Sequence, residues 1–307
     1  MFKDLKVIFM GTPDFGEEAF KYLIENTNVI MAVVQPDKVV GRKKILTAPF
    51  IKKMALDNNV DVFQPINIRK DYSKIVELQP DLIITAAYGQ IVPKEVLEAA
   101  KLGCINLHGS ILPKYRGASP IQYALLNGDK ETGVSLMYMD QKMDTGDIID
   151  ILKIDIEKTD NYPLLYKKLG IVAKEVLEKN LEDIINKTNK RIKQDENFAT
   201  YCPMIKREDE LLNFNLQGNQ VINKVRGIYP NAYFLVNNEV MKVLEAEFIS
   251  KKINKDFEIT KNEFLISVKD GAINLKIVKP FGKKVMDIKS YLNGIDKSKI
   301  SLIEREN

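Results

Sequence analysis

The sequence predicts an α/β protein in which a parallel, doubly wound sheet comes first and a small β-barrel follows. Three observations carry that expectation. In the first half, apolar runs of four to six residues alternate with helical stretches, the pattern of strands covered on both faces. From residue 206 onward the text becomes short β-like segments with lysine-rich turns. The length, 307 residues, exceeds one ordinary domain and suits two.

The elements follow in order. Residues 6–10 (KVIFM) form a short buried strand ending at Gly11, and a helix is expected from about 15 to 26. Residues 29–34 make the next strand, followed by a polar loop and a helix over 48–58. Residues 81–86 (DLIITA) and 104–107 (CINL) are further buried strands, with a helical segment near 94–100 between them. Residues 132–138 and 148–156 add strands, and Thr159 or Asp160 can cap a long helix running to about Lys187. Residues 189–205 are polar and contain the Cys202-Pro203 break, the mark of a linker. One helix near 217–228 then precedes the β text AYFLV, EVMKVLEAEFI, EFLISV and AINLKIVKP. The expected organisation is a domain at 1–188, a linker at 189–205 and a second domain at 206–307.

Composition excludes several classes. Hydrophobic residues at 45% with charged residues at 29% suit a folded chain rather than a disordered one. No apolar run approaches the ~20 residues that cross a bilayer, and charge interrupts the start before a secretory core could form. No membrane association is expected. Cys104 and Cys202 lie far apart, without disulfide or zinc spacing, so a cytoplasmic setting is expected. The chain has a single histidine, His108, which excludes a multi-histidine metal site and a histidine acid–base pair. The net charge of +4 lies entirely in residues 206–307, which hold 18 basic and 14 acidic side chains. A local basic surplus suits a polyanionic partner.

Two segments compete for the chemistry. Residues 11–16 (GTPDFG) lie where a phosphate-binding glycine loop would open the first helix. The spacing is not GxGxxG, and Pro13 removes a backbone donor, so a tight strand-to-helix turn is the better reading. Residues 104–117 (CINLHGSILPKYRG) leave a buried strand at its carboxyl end, where open α/β sheets place ligands. Asn106 and His108 are two apart and share one face of that strand. An amide donor beside an imidazole suits a developing oxyanion and a proton transfer. A carboxylate to orient His108 is available in the segment 140–147, from Asp140, Asp144 or Asp147; spacing alone does not choose among them.

Asn106-x-His108, the following Ser110-Ile-Leu-Pro113 and YRG, and the distant DTGD at 144–147 together resemble the signature of folate-dependent formyltransferases. The resemblance covers essentially the whole chain. It implies a Rossmann-like (formyltransferase-like) catalytic domain and an OB-like C-terminal domain. It also implies a catalytic trio at Asn106, His108 and Asp144. Ser110, Ile111, Leu112 and Pro113 correspond to the segment that holds folate, and Tyr88, Gly89, Gln90 and Ile91 to the wall of the folate pocket. The opening GTPDF, VRGIYPNA at 225–232 and PFGKKVM at 280–286 resemble, within that family, the members that work on charged tRNA. The implied reaction moves the formyl group of 10-formyltetrahydrofolate to the α-amino group of methionyl initiator tRNA for translation initiation. No metal is implied, and a monomer is expected. The basic loop after the second strand carries Arg42, Lys43 and Lys44 as implied tRNA contacts.

Within this reading Asn106 and His108 stabilise the formyl oxygen, while Asp144 holds His108 and helps remove the amine proton. A proton passed from His108 to the leaving folate nitrogen is equally compatible. Relatives acting on glycinamide ribonucleotide or an amino sugar would share the trio; the basic second part weighs against the former more than the latter. A non-catalytic RNA-binding protein on the same scaffold leaves the Asn106–His108 pairing without a purpose.

Overall fold

The computed structural model describes residues 1–41 and 44–302, grouped into two compact units. The first unit comprises residues 1–120, 132–154 and 166–202. Its seven-stranded sheet runs, edge to edge, Ile148–Asp155, Glu131–Tyr138, Cys104–His108, Leu82–Ala86, Phe2–Gly11, Thr27–Val33 and Val62–Phe63. The five strands from Cys104–His108 to Val62–Phe63 pair in parallel. Their centres read as unbroken apolar text because both faces are covered: Val7, Ile8, Phe9 and Met10 are each 0% exposed. Glu131–Tyr138 runs antiparallel to Cys104–His108, so the sheet is parallel-dominated rather than wholly parallel. Strand direction leaves no trace in an apolar pattern, which is why this reversal was not anticipated.

Other differences are local. The polar loop expected after the second strand is a β-hairpin, Lys38–Val40 paired antiparallel with Ile45–Thr47. Its β-branched residues favour extended backbone, yet Val39, Val40, Ile45 and Leu46 are all exposed, so no buried periodicity announced it. Within the stretch 189–205, Tyr201–Cys202 pairs in parallel with Arg116–Gly117, so this part of the expected linker is hydrogen-bonded to the first unit.

The second unit comprises residues 121–131, 155–165 and 203–307 as far as they are described. Its antiparallel sheet has the order Tyr233–Val236, Glu239–Ile249, Gly271–Pro280, Phe264–Val268 and Phe257–Ile259, with Met286–Asp287 also pairing Gly271–Pro280. Register shifts near Glu245 curl the long second strand. The hairpin at Asn237-Asn238 has both residues at positive φ, a conformation asparagine tolerates. The helix Gly218–Gly227 buries Val221 and Val225 in the core with Phe234, Val243, Phe264 and Leu275.

Candidate active site

The site lies where the adjacent parallel strands Leu82–Ala86 and Cys104–His108 end. Alternation along the second strand puts Asn106 and His108 on the same face. His108 is buried at 5% exposure and Asn106 is half-buried. Thr85, on the neighbouring strand and in register with Asn106, donates its hydroxyl hydrogen bond to Asn106 Oδ1 at 2.7 Å. That bond fixes the amide orientation and turns Nδ2 outward as a donor.

Of the three aspartates left open by spacing, Asp144 is the one that reaches these groups. Its Oδ1 accepts from Asn106 Nδ2 at 3.4 Å, its Oδ2 accepts from the Gly117 backbone N–H at 2.8 Å, and His108 Nδ1 lies 3.7 Å from Oδ2. Asp144 adopts φ 55, the left-handed region that Asp and Asn tolerate better than other non-glycine residues. Asp140 instead holds its own loop, accepting from the Lys142 N–H and the Thr145 hydroxyl. Asp147 joins the sheet through its carbonyl, which accepts from the Tyr138 N–H.

The tautomer of His108 follows from its partners. Nε2 lies 2.9 Å from the Tyr115 carbonyl, which can only accept, so Nε2 carries a hydrogen. In the neutral ring Nδ1 is therefore the lone pair, and it faces the Asp144 carboxylate. A proton arriving on Nδ1 completes an ion pair. The same Tyr115 carbonyl takes a contact from Cys202 Sγ at 3.1 Å, and burial above all pushes that thiol up to about 11, so it stays neutral.

The expected folate residues divide into two sets. Exposed Ile91 and half-buried Ile111 and Pro113 present apolar surface, and Gly89 holds φ 88 in an exposed turn. The others support the chain. Tyr88 is buried in the apolar cluster that also holds Ile8, Met10, Met31 and Val33, and its hydroxyl has no hydrogen-bond partner among the described residues. Burial pushes that hydroxyl's pKa well above its ordinary range. Gln90 accepts from the Ile68 N–H and donates to the Pro65 carbonyl. Ser110 is fully buried and donates to the Lys114 carbonyl, while Leu112 packs with Met137 and Ile148. Of the expected tRNA contacts, Arg42 and Lys43 lie outside the described residues. Lys44 is exposed at φ 48, with its N–H donating to the Gly41 carbonyl.

Sequence reasoning missed Thr85, Tyr115 and Gly117 as supports of the trio. Tyr115 and Gly117 act through backbone atoms, and at Tyr115 such a contact leaves no residue-type signal. Gly117 alone carried one: at φ 124 an added Cβ would lie 2.6 Å from the Cys202 carbonyl oxygen. Among the described residues no group of three or more His, Cys, Asp or Glu side chains is placed to hold a metal ion, and no helix is long and apolar enough to cross a membrane.

Comparison with known proteins bears on both parts of the chain. A family model described as formyl transferase matches residues 5–181, and one described as formyl transferase, C-terminal domain, matches residues 204–296. A methionyl-tRNA formyltransferase of Staphylococcus epidermidis is 41% identical over 306 residues, covering 97% of this chain and 99% of that protein. A Staphylococcus aureus protein of the same name is 40% identical over 298 residues, covering 94% and 96%. Among solved structures, an N-formyltransferase from Helicobacter canadensis with folinic acid and dTDP-3-aminofucose superposes with TM-score 0.69 at 22% identity, over 90% of this chain and 100% of its own. HypX from Aquifex aeolicus in complex with tetrahydrofolic acid superposes with TM-score 0.62 at 16% identity, over 95% of this chain and 47% of its own. At such identities the two structures speak for the fold.

Proposed function

The chain belongs to the formyl transferase family, and from that premise we propose that it moves the formyl group of 10-formyltetrahydrofolate to the α-amino group of methionyl initiator tRNA. The observation that carries this is the 41% identity to a methionyl-tRNA formyltransferase along nearly the full length of both chains. The convergence of Asn106, His108 and Asp144 supplies chemistry that acyl transfer needs.

The folate donor fits the residues present, because Ile91, Ile111 and Pro113 offer apolar walls of the kind that hold a flat heterocycle and Gly89 exposes backbone polar groups. When bound it supplies an activated formyl carbon on a nitrogen that can leave. Tyr88, Gln90, Ser110 and Leu112 are assigned to keeping those walls in place. Asn106 Nδ2, turned outward by Thr85, donates to the formyl oxygen as negative charge grows there. His108 Nδ1 takes the proton from the attacking amine, Asp144 stabilises the imidazolium that results, and that proton passes to the folate nitrogen as its bond to the formyl carbon breaks. Nε2 keeps its hydrogen on Tyr115 throughout, so the ring does not need to turn.

Catalysis is assigned to residues 1–188 and tRNA binding chiefly to the basic residues 206–307. The hairpin Lys38–Val40/Ile45–Thr47 is assigned to the acceptor end of the tRNA. Its exposed Val39, Val40, Ile45 and Leu46 provide apolar surface, and in the sequence they flank Arg42, Lys43 and Lys44. The protein is assigned to the cytoplasm and to a monomeric state. The test is direct: incubate the chain with 10-formyltetrahydrofolate and, in parallel, methionyl initiator tRNA, glycinamide ribonucleotide or a nucleotide-linked amino sugar. Formylation of the tRNA alone is expected; preference for a small acceptor would overturn the assignment. His108→Ala should lower kcat by about 10²–10⁴-fold with folate binding retained.

A further inference from the structure

Gln194 lies in the polar stretch that the sequence marked only as a linker, yet every hydrogen-bonding position of its amide is occupied. Nε2 donates to the Asp144 carbonyl at 2.9 Å and to the Gly146 carbonyl at 2.8 Å. Oε1 accepts from Arg116 Nε at 3.0 Å and from Arg116 Nη2 at 2.9 Å. The amide cannot be reversed, because a guanidinium offers only donors and carbonyls offer only acceptors. Arg116 is itself 0% exposed and closes a bidentate pair with the Glu196 carboxylate at 2.8 and 2.9 Å.

The backbone on either side of Arg116 makes this arrangement more than local packing. The preceding residue, Tyr115, offers the carbonyl that accepts from His108 Nε2. The following residue, Gly117, donates the N–H that holds Asp144 Oδ2. A closed ring results: from Asp144 through Gln194 to Arg116, and from the peptides flanking Arg116 back to His108 and to the Asp144 carboxylate. Asp144 needs such a hold, since its φ of 55 is an uncommon backbone state that its surroundings must impose.

We propose that Gln194 is a positioning residue for the formyl transfer, holding Asp144 at its distance from His108 through the carbonyls of Asp144 and Gly146. This rests on the reaction assigned above, in which Asp144 works on His108. Arg116 and Glu196 serve the same end by presenting Gln194 with a fixed donor fork.

Gln194→Glu isolates the claim. The carboxylate still accepts from Arg116, but it sets an oxygen against two carbonyl oxygens where an NH₂ donated. With full-length protein, kcat for methionyl-tRNA should fall about 10- to 100-fold, the scale of an ångström misplacement at a reacting group. KM for both substrates should stay near wild type, and the thermal midpoint should fall only by what the two lost hydrogen bonds cost, with the protein folded at the assay temperature. In an Asp144→Asn background the same change should alter kcat by less than about 2-fold, because residues acting as one unit are not additive.

A readout independent of turnover comes from the chain's single histidine, whose ring nitrogens give one set of NMR signals. Those signals should move in Gln194→Glu as well as in Asp144→Asn. Gln194→Met, which keeps the length but neither kind of bond, should behave like Gln194→Glu. Losses that add in the double variant, or His108 signals unmoved by Gln194→Glu, would overturn the proposal. A wild-type rate in Gln194→Glu with a slow Gln194→Met would also overturn it, reducing Gln194 to a partner for Arg116. Should wild type formylate no tRNA, the substrate assignment falls alone, and the His108 signals still decide the link to Asp144.

Discussion

Asp144→Asn tests the reaction at its most exacting point. Asparagine matches aspartate in size and tolerates the left-handed backbone at this position, so the change adds no strain at φ 55. Its side-chain oxygen can still accept from the Gly117 N–H, now 2.8 Å from Asp144 Oδ2. What disappears is the negative charge 3.7 Å from His108 Nδ1 and, at the Oδ1 position, the acceptor 3.4 Å from Asn106 Nδ2. At about 4 Å a unit charge pair is worth ~1 kcal/mol in bulk water and ~4 kcal/mol at an effective dielectric of ~20. The Asp144 side chain is 14% exposed and that of His108 6%, which places the pair nearer the second figure. A proton taken from the amine onto Nδ1 loses that support, and 3–4 kcal/mol in the transition state corresponds to roughly 10²–10³-fold in kcat. Folate affinity and the unfolding midpoint should change little. The assay is single-turnover formylation of methionyl-tRNA with saturating folate donor, which reads the chemical step without product release. Asp147→Asn is the control, since that side chain is not among the groups that meet at His108. A near-normal rate in Asp144→Asn, or a larger loss in Asp147→Asn, would refute the assignment of the carboxylate.

Asn106→Ala should cost about 10²–10³ in kcat with KM little changed, as expected for an oxyanion donor, and the same single-turnover assay checks it. Gly146→Ala should destabilise the fold by about 1–3 kcal/mol through overpacking: the added Cβ would lie 2.0 Å from the Tyr138 carbonyl oxygen, and a denaturant midpoint reads the loss. Lys283 and Lys284 are exposed in the turn after the strand Gly271–Pro280. If each meets a tRNA phosphate, Lys→Ala at either should flatten the slope of log K against log salt by ~0.7–0.9. Arg42→Ala should lower kcat/KM for charged tRNA, leave folate binding unchanged and be only partly restored by Arg42→Lys, because a guanidinium stacks and pairs where an ammonium supplies a point charge.

What could be learned from the sequence divides along a physical line. Strands buried on both faces announce themselves, so residues 6–10 and 104–107 fall within observed strands, and the expected 81–86 exceeds the observed Leu82–Ala86 by one residue. The hairpin Lys38–Val40/Ile45–Thr47 did not, because exposed strands have no inside face to mark. The same division runs through the site. Asn106 and His108 stand two apart on one strand, and that spacing alone puts them on one face. Asp144 shares its loop with Asp140 and Asp147, and what separates it from them is a backbone state, φ 55, that no spacing encodes. The supports lie further out of reach: Thr85 from the next strand, the backbone of Tyr115 and Gly117, and Gln194 from a stretch that read as mere connection. Groups that touch a substrate must offer particular chemistry, so their residue types carry a signal. Groups that hold them need only a donor or acceptor at the right place, and a backbone amide serves as well as any side chain. A constellation of this kind is therefore visible from the substrate inward for one layer. Beyond that layer only the folded chain reveals why Asp144 stands where it does.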